Sequence, residues 1–164
     1  MNLSGGIEIA ASPRAVWDFV LDPARLSSCV PGITSVHQVD DRTFEGEIRA
    51  AVGPMHGDFA FTSVIRRDSF PTDLLVEISG ADSVTHSRVE MTVAASVAEQ
   101  QATRSADATT RLDYALTVNV KGRLAILGEM MLRATAGAMI GQVSACLRAR
   151  LEAAASLDGA MAES

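Results

Sequence analysis

The sequence predicts an α+β fold in which a curved antiparallel sheet of seven strands is covered by one long C-terminal helix. Three observations lead to this prediction. Apolar and polar residues alternate over much of the chain from residue 33 to residue 120, as in half-buried strands. Turn signals separate these runs at the spacing of an antiparallel meander. After Gly122 the alternation stops, and a proline-free stretch with helical spacing follows.

The N-terminal part predicts one strand and two short helices. Residues 3–11 alternate like a strand. Ser12 followed by Pro13 is a good helix start, because serine caps the first turn and proline suits its first position. Asp22 and Pro23 are expected to end this helix and to cap a second one. The predicted elements are a strand over residues 3–11, a helix over 14–21 and a short helix ending at Leu26.

Six further strands and one long helix complete the prediction. The strands are expected at residues 33–39, 43–52, 57–67, 74–79, 84–97 and 111–120, with a polar loop over residues 99–107. The long helix is expected at residues 123–155. Residues 1–155 are therefore predicted to form a single domain, and residues 156–164 a C-terminal tail.

The long helix is predicted to turn one stripe of side chains toward the sheet, because one face of the sheet is strongly apolar. This stripe consists of Leu124, Leu127, Met131, Thr135, Ala138, Met139 and Gln142. The opposite side carries Glu129, Arg133, Ser144, Arg148 and Glu152. Three apolar residues share that outer side: Ile126, Met130 and Ile140. They predict either a crowded corner of the core or a surface for a partner or a second copy of the chain.

The charge balance and the cysteines restrict the classes of function. The chain has 14 basic and 20 acidic residues, a net charge of -6, which argues against binding to nucleic acid or anionic lipid. The N-terminus lacks a signal sequence, so a cytoplasmic location and no integral membrane anchor are expected. Cys29 and Cys146 belong to no metal-binding motif and are expected to be small buried or half-buried side chains.

The interior is the predicted functional feature. It either packs solid or leaves a cavity for an apolar guest, because small residues on the helix do not reach far toward a curved sheet. No cofactor is expected. The predicted cavity lining is Phe59, Phe61, Val89, Met91, Leu116, Val118, Leu127, Met131, Thr135 and Ala138.

No catalytic motif stands out in the sequence. His37, His56 and His86 fall on different strands or strand ends, and no nucleophile elbow or zinc-binding motif is present. An enzyme acting on a lipophilic substrate remains the alternative hypothesis. In that case the enzyme would be of the cyclase or hydratase type with His86, Glu90 or Arg88 as the reacting groups, and these residues must point inward for the hypothesis to hold.

Four separated motifs resemble those of CoxG, a family of carbon monoxide dehydrogenase subunits within the START-related SRPBCC superfamily. They are Trp17 with residues 22–26, residues 29–32, residues 52–54 and residues 122–128. The resemblance covers residues 3–150 and implies the helix-grip fold with an interior apolar cavity. A cavity mouth is expected at Val30, Pro31 and Gly32 and at a loop containing Ala81.

The resemblance also implies a role as a non-catalytic carrier or accessory protein. The implied ligand is a quinone or lipid-like molecule. The implied partner is a molybdenum hydroxylase of the CO dehydrogenase type, and a homodimer is a further possibility. Through such a partner, the protein is expected to be peripheral at the inner membrane.

Overall fold

The computed structural model describes residues 1–100 and 109–162 of the 164-residue chain. One strand and two short helices precede six strands, a 3₁₀ turn and a long helix, in the predicted order. The elements are β1 (Asn2–Ile9), α1 (Pro13–Leu21), α2 (Pro23–Ser27), β2 (Ile33–Gln38), β3 (Thr43–Val52), β4 (Met55–Ser69), β5 (Asp73–Asp82), β6 (Ser87–Gln100), β7 (Thr109–Lys121), a 3₁₀ helix (Arg123–Leu127) and α3 (Glu129–Ala162).

The seven strands form one antiparallel sheet in the order β1-β7-β6-β5-β4-β3-β2, which confirms the predicted fold class. β2 to β7 form a meander, and β1 adds to the far side of it by pairing with β7. Cross-strand partners such as Leu3 and Leu116 lie on the same face. Because successive side chains of a strand alternate between faces, this register gathers the apolar residues on the inner face.

The two short helices form where their capping residues predict them. The side chain of Ser12 accepts a hydrogen bond from the backbone N–H of Ala15 at 3.2 Å, and Pro13 opens α1. The carboxylate of Asp22 accepts hydrogen bonds from Ala24 and Arg25 at 3.1 and 3.3 Å, so the residue that ends α1 also caps α2. These two helices fill one end of the curved sheet.

The long helix begins later than the sequence predicted. Residues 123–127 form a 3₁₀ turn, and Gly128 has a φ of 87°, a conformation that side-chain-bearing residues rarely adopt. α3 then runs from Glu129 to Ala162 and passes through the segment expected to be a tail. The long C-terminal helix is confirmed, but its predicted start at residue 123 was wrong because Gly128 interrupts the backbone there.

This interruption also changes which side of the helix faces the sheet. Leu132, Val143 and Leu147 are buried or half-buried, whereas Met131, Ala138 and Gln142 of the predicted stripe are exposed. The other α3 residues of that stripe, Thr135 and Met139, are half-buried as predicted. The predicted stripe was counted from Leu124 at 3.6 residues per turn. Since residues 124–127 are not part of the α-helix, that count was out of phase with the helix that follows.

Side chains from the side of α3 that was predicted to face outward form hydrogen bonds with backbone groups along the open edge of β1. Arg133 donates to the carbonyl of Asn2 at 2.9 Å, and Arg148 donates to the carbonyl of Glu8 at 3.1 Å. Glu152 accepts from the N–H of Ala10 at 3.1 Å. These contacts cover an edge that would otherwise expose unpaired backbone groups. They also fix the helix along one side of the sheet.

Cys29 and Cys146 form a disulfide, with their Cα atoms 5.4 Å apart and a sequence separation of 117. The expectation of two small apolar side chains did not include this bond. Their wide separation in sequence carried no pairing signal, and only the fold brings the α2–β2 connection against α3. Cys29 is buried and Cys146 is half-buried, as expected.

Candidate ligand site

The buried residues of the interior fall into two clusters at opposite ends of the sheet. The first cluster surrounds Trp17 and Leu147 and receives the side chains of α1. The second cluster is smaller and centres on Val52, Phe59 and Leu124. Both clusters contain side chains from the inner face of β4: Ile65 in the first and Phe59 in the second.

Between the clusters, the inner face is only half-buried. On β4, Phe61 lies between Phe59 and Ile65; the ring of Phe61 packs over Gly46, yet the residue keeps partial exposure. The same holds for the inner-face side chains in the middle of β5, β6 and β7. These are Ile78, Met91, Val93, Tyr114 and Leu116. Close-packed protein interiors bury such side chains, so the middle of the sheet is less tightly covered than its ends.

The helix leaves this central region open because its backbone comes near the sheet mainly at β1 and β3. β1 is one edge of the sheet, and β3 is next to the other edge. Thr135, Ala136 and Met139 of α3 are half-buried and lie between the helix residues of the two clusters. Half-buried apolar surface therefore lines the space between the two clusters on both its sheet side and its helix side.

The ten residues predicted to line the cavity occupy three kinds of position. Phe59 and Val118 are buried, at 5 % and 9 % exposure. Met131 and Ala138 are exposed, because of the changed helix phase, and Met131 instead packs against Gly53 of the β3–β4 turn. The other six are half-buried: Phe61, Val89, Met91, Leu116, Leu127 and Thr135.

The residues predicted to form the mouth do not all lie in loops. Val30, Pro31 and Gly32 connect α2 to β2, and Gly32 has a φ of 91°. Ala81, by contrast, is an exposed residue within β5, which runs on to Asp82. The expectation of a loop around Ala81 was wrong because the backbone of residues 80–82 keeps pairing with both neighbouring strands.

A buried polar cluster closes the end of the interior near the second apolar cluster. The Asp82 carboxylate accepts from the N–H of Val84 and from the hydroxyl of Thr85, both at 2.9 Å. The Ser87 hydroxyl lies 2.9 Å from that of Thr85 and accepts from the N–H of Leu124 at 3.0 Å. The hydrogen bond from Val84 is the main reason that the pKa of Asp82 lies below its usual value.

A pocket of about 570 Å³ opens on the outer face of the sheet rather than in the interior. Small residues, Ala60 and Ala81, lie side by side between longer charged ones. Arg49 and Asp58 form an exposed ion pair there at 3.0 Å. Its charged lining makes this pocket unsuited to an apolar ligand, so the interior remains the better candidate site.

The residues of the enzyme hypothesis lie on the wrong side of the sheet. Arg88 and Glu90 are exposed and alternate with the inward-facing Ser87 and Val89. His86 is exposed in the β5–β6 turn, where it has a φ of 54°. His37 lies 3.5 Å from Glu45, far along the chain from the other two histidines. His86, Arg88 and Glu90, the reacting residues of the enzyme hypothesis, therefore do not line the interior.

Exposed apolar side chains gather at the end that holds the polar cluster. Ile126 and Met130 are 82 % and 88 % exposed, and Val84 in the nearby turn is 81 % exposed. Ile140, the third residue of the predicted partner surface, is half-buried. Among the described residues, the neighbouring cations Arg88, Lys121 and Arg123 form no salt bridge.

Two features of the site escaped the sequence reasoning. The disulfide had no local signal. The polar cluster did have a local sequence signal, because Asp82 and Ser87 flank a four-residue turn of the kind that aspartate and serine stabilise. Within the described part of the chain, no group of three or more potential ligands converges on a metal position. In the same residues, no helix is long and apolar enough to span a bilayer.

Comparison with solved structures places this fold in the START-like class. A conserved protein from Geobacillus kaustophilus aligns with a TM-score of 0.79 and 18% identity, covering 92% of this chain and 95% of the other. A START superfamily protein from Mycobacterium smegmatis aligns at 0.65 and 17%, covering 92% and 97%. The Zhui aromatase/cyclase from Streptomyces sp. R1128 aligns at 0.58 and 11%, covering 93% of each chain. At these identities the likeness concerns the fold alone.

Residues 5–152 match the model of the CoxG family of carbon monoxide dehydrogenase subunits. The chain therefore belongs to the CoxG family, which confirms the resemblance carried by its four motifs. Among curated proteins, none is significantly similar to this chain.

Proposed function

We propose that this protein is a non-catalytic carrier that binds one apolar ligand, a quinone or a lipid-like molecule, between the sheet and α3. The observation that carries the proposal is the half-buried apolar band between two buried clusters. Phe61 and Met91 form its wall on the sheet side, and Thr135 and Met139 form its wall on the helix side. Displacing water from such a surface favours binding by about 25 cal/mol for each Å² buried.

The chemistry of this band suits a flat or flexible apolar guest. Methionine side chains adapt their shape, as Met91 and Met139 would against a ring or a chain. Ser63 and Thr135 are half-buried on the inner face of β4 and on α3, and they supply hydroxyl groups for a carbonyl oxygen. A quinone presents both an apolar ring and such oxygens. Membership of the CoxG family supports the same choice.

Extraction of the purified protein tests this proposal. The protein is extracted into organic solvent, and the extract is analysed by mass spectrometry beside an extract of an unrelated acidic protein from the same host. A quinone or lipid present in near one-to-one ratio with this chain supports the carrier function. If no such compound is retained, and if added 2-methyl-1,4-naphthoquinone also fails to bind, the proposal is wrong.

We further propose that the carrier delivers its ligand to a molybdenum hydroxylase of the CO dehydrogenase type. The docking surface consists of Val84, Ile126 and Met130, which are over four-fifths exposed. The cations Arg88, Lys121 and Arg123 flank it. They favour an acidic rim on the partner, since complementary charge steers association. The family supports this choice of partner.

A binding assay with the purified hydroxylase tests the docking surface. Replacing Ile126 and Met130 together by serine is expected to weaken association at least tenfold. Leu157→Ser is the matched control, because Leu157 is also exposed, at 67 %, but lies toward the other end of α3. Equal loss in both variants, or no association of the unmodified protein, contradicts the proposal. Sedimentation of the same variants reports whether this surface joins two copies of the chain instead.

A further inference from the structure

The attachments of α3 to the two sides of the sheet are chemically different. On the β1 side, Arg133, Arg148 and Glu152 hold it by hydrogen bonds spread over most of its length. On the opposite side, no hydrogen bond joins α3 to the α2–β2 connection among the described residues. Met131 packs against Gly53 of the β3–β4 turn on that side, and the covalent bond between Cys29 and Cys146 joins α3 to the connection itself.

The segment on the other side of this bond is only partly buried: Leu26 is half-buried against the first cluster, and Cys29 is the one buried residue of residues 23–32. α2 buries no residue, and its Arg25 lies over the ring of Phe19 at 4.6 Å. The connection is joined to β3 where Gly32 accepts a hydrogen bond from Arg49 at 2.8 Å. A segment with little buried apolar surface opens more readily than the core. The disulfide is therefore a main constraint on residues 23–32.

Cys29 directly precedes Val30, Pro31 and Gly32, the residues that the sequence predicted at the mouth of the cavity. We infer that the Cys29–Cys146 disulfide is a redox-controlled latch on the ligand entrance: its reduction frees residues 23–32 from α3 and lets the ligand pass. The inference concerns the regulation of the interior site and so rests on the proposed carrier function.

The step is a two-electron reduction by a dithiol. One thiolate of the dithiol attacks the sulfur of Cys146, which is the less buried partner, and the disulfide breaks. Cys29 leaves as a thiolate and takes up a proton. The second thiol of the reductant then attacks the mixed disulfide, so that Cys146 is released as a thiol and the reductant leaves as a cyclic disulfide. Reoxidation by a disulfide reverses these steps.

Two measurements on the full chain test the latch. The first is hydrogen–deuterium exchange of the oxidised protein and of protein reduced with dithiothreitol, without any ligand. Faster exchange confined to residues 23–32 after reduction is expected. The second is the stopped-flow release rate of N-phenyl-1-naphthylamine, a neutral apolar probe. Release from the reduced protein is expected to be at least tenfold faster, with an equilibrium affinity that changes less than threefold.

The double variant Cys29→Ser/Cys146→Ser is the control, and its thermal unfolding confirms that it folds. It is expected to release the probe quickly with or without dithiothreitol. The latch is overturned if residues 23–32 exchange equally in both redox states, if the release rates are equal, or if the double variant releases slowly. If the probe binds neither form, the carrier function fails, whereas the exchange measurement still reports on the release of residues 23–32.

Discussion

Arg148 donates a hydrogen bond from its guanidinium to the main-chain carbonyl of Glu8, 140 residues away in sequence, at 3.1 Å. This contact joins the long helix to the first strand of the chain. It satisfies a backbone acceptor on the outer edge of β1, which pairs with no strand other than β7 among the described residues. The helix thus acts both as a cover for the interior and as a cap for one sheet edge.

Removing this contact tests the edge-capping role. Arg148→Ala is expected to lower the free energy of unfolding by about 1 kcal/mol, the typical net value of one hydrogen bond. Arg150→Ala is the matched control, because Arg150 is exposed two residues further along the same helix. Its effect is expected to stay within about 0.5 kcal/mol. Urea unfolding of both variants measures the difference, and equal effects contradict the role.

The C-terminal half of α3 anchors the helix in the first cluster. Leu147 is 3 % exposed, so Leu147→Ala removes buried methyl groups and leaves a cavity. The expected cost is about 2–5 kcal/mol of unfolding free energy. Leu157→Ala, at a position that is 67 % exposed, is expected to cost far less. Thermal unfolding of the two variants measures this difference. A small loss of unfolding free energy for Leu147→Ala would mean that the helix is not packed against the first cluster.

Two glycines flank the 3₁₀ turn with the same φ of 87° but in different surroundings. A Cβ at Gly128 would meet nothing within 4 Å, so Gly128→Ala costs only backbone strain, about 1–3 kcal/mol. A Cβ at Gly122 would also collide with the backbone of His86. Gly122→Ala is therefore expected to be clearly the more destabilising. If urea unfolding gives equal losses of free energy for the two variants, the contact between the 3₁₀ turn and the β5–β6 turn is not rigid.

The polar cluster predicts a defined acid response. Because the folded-state pKa of Asp82 lies below its unfolded value, its ionised form stabilises the fold above about pH 4. This contribution is lost as the pH falls through the folded-state pKa. Asp82→Asn is expected to lower Tm at neutral pH. The difference in Tm between this variant and the unmodified protein should narrow in acid. Asp41→Asn, at an exposed turn position, is the control. A gap that is independent of pH contradicts this account.

The strand pattern and the helix caps were predictable because they depend on neighbours in sequence. Alternation located all seven strands, and Ser12 and Asp22 located the two short helices. The phase of α3 was not predictable in the same way. It depends on the backbone conformation of Gly128, which a side-chain period cannot reveal, and the result was a misassigned face for Ala138 and Gln142.

The site was predictable only in part. Sheet-side residues such as Phe61 and Leu116 follow directly from the period of two. The β5–β6 turn was placed too early, so that Ala81 was expected in a loop and Val84 in a strand. The Cys29–Cys146 bond and the arginine contacts to β1 depend on long-range geometry, since each joins segments more than 100 residues apart.

In the proposed carrier, the space between the middle of the sheet and α3 holds the apolar ligand. Binding of N-phenyl-1-naphthylamine to two tryptophan variants tests this placement. Ala136 is half-buried on the inner side of α3, whereas Ala138 is exposed. We predict one-to-one binding to the unmodified protein and to Ala138→Trp, and loss of binding to a folded Ala136→Trp. Undiminished binding to Ala136→Trp, or no binding to the unmodified protein, would contradict the account.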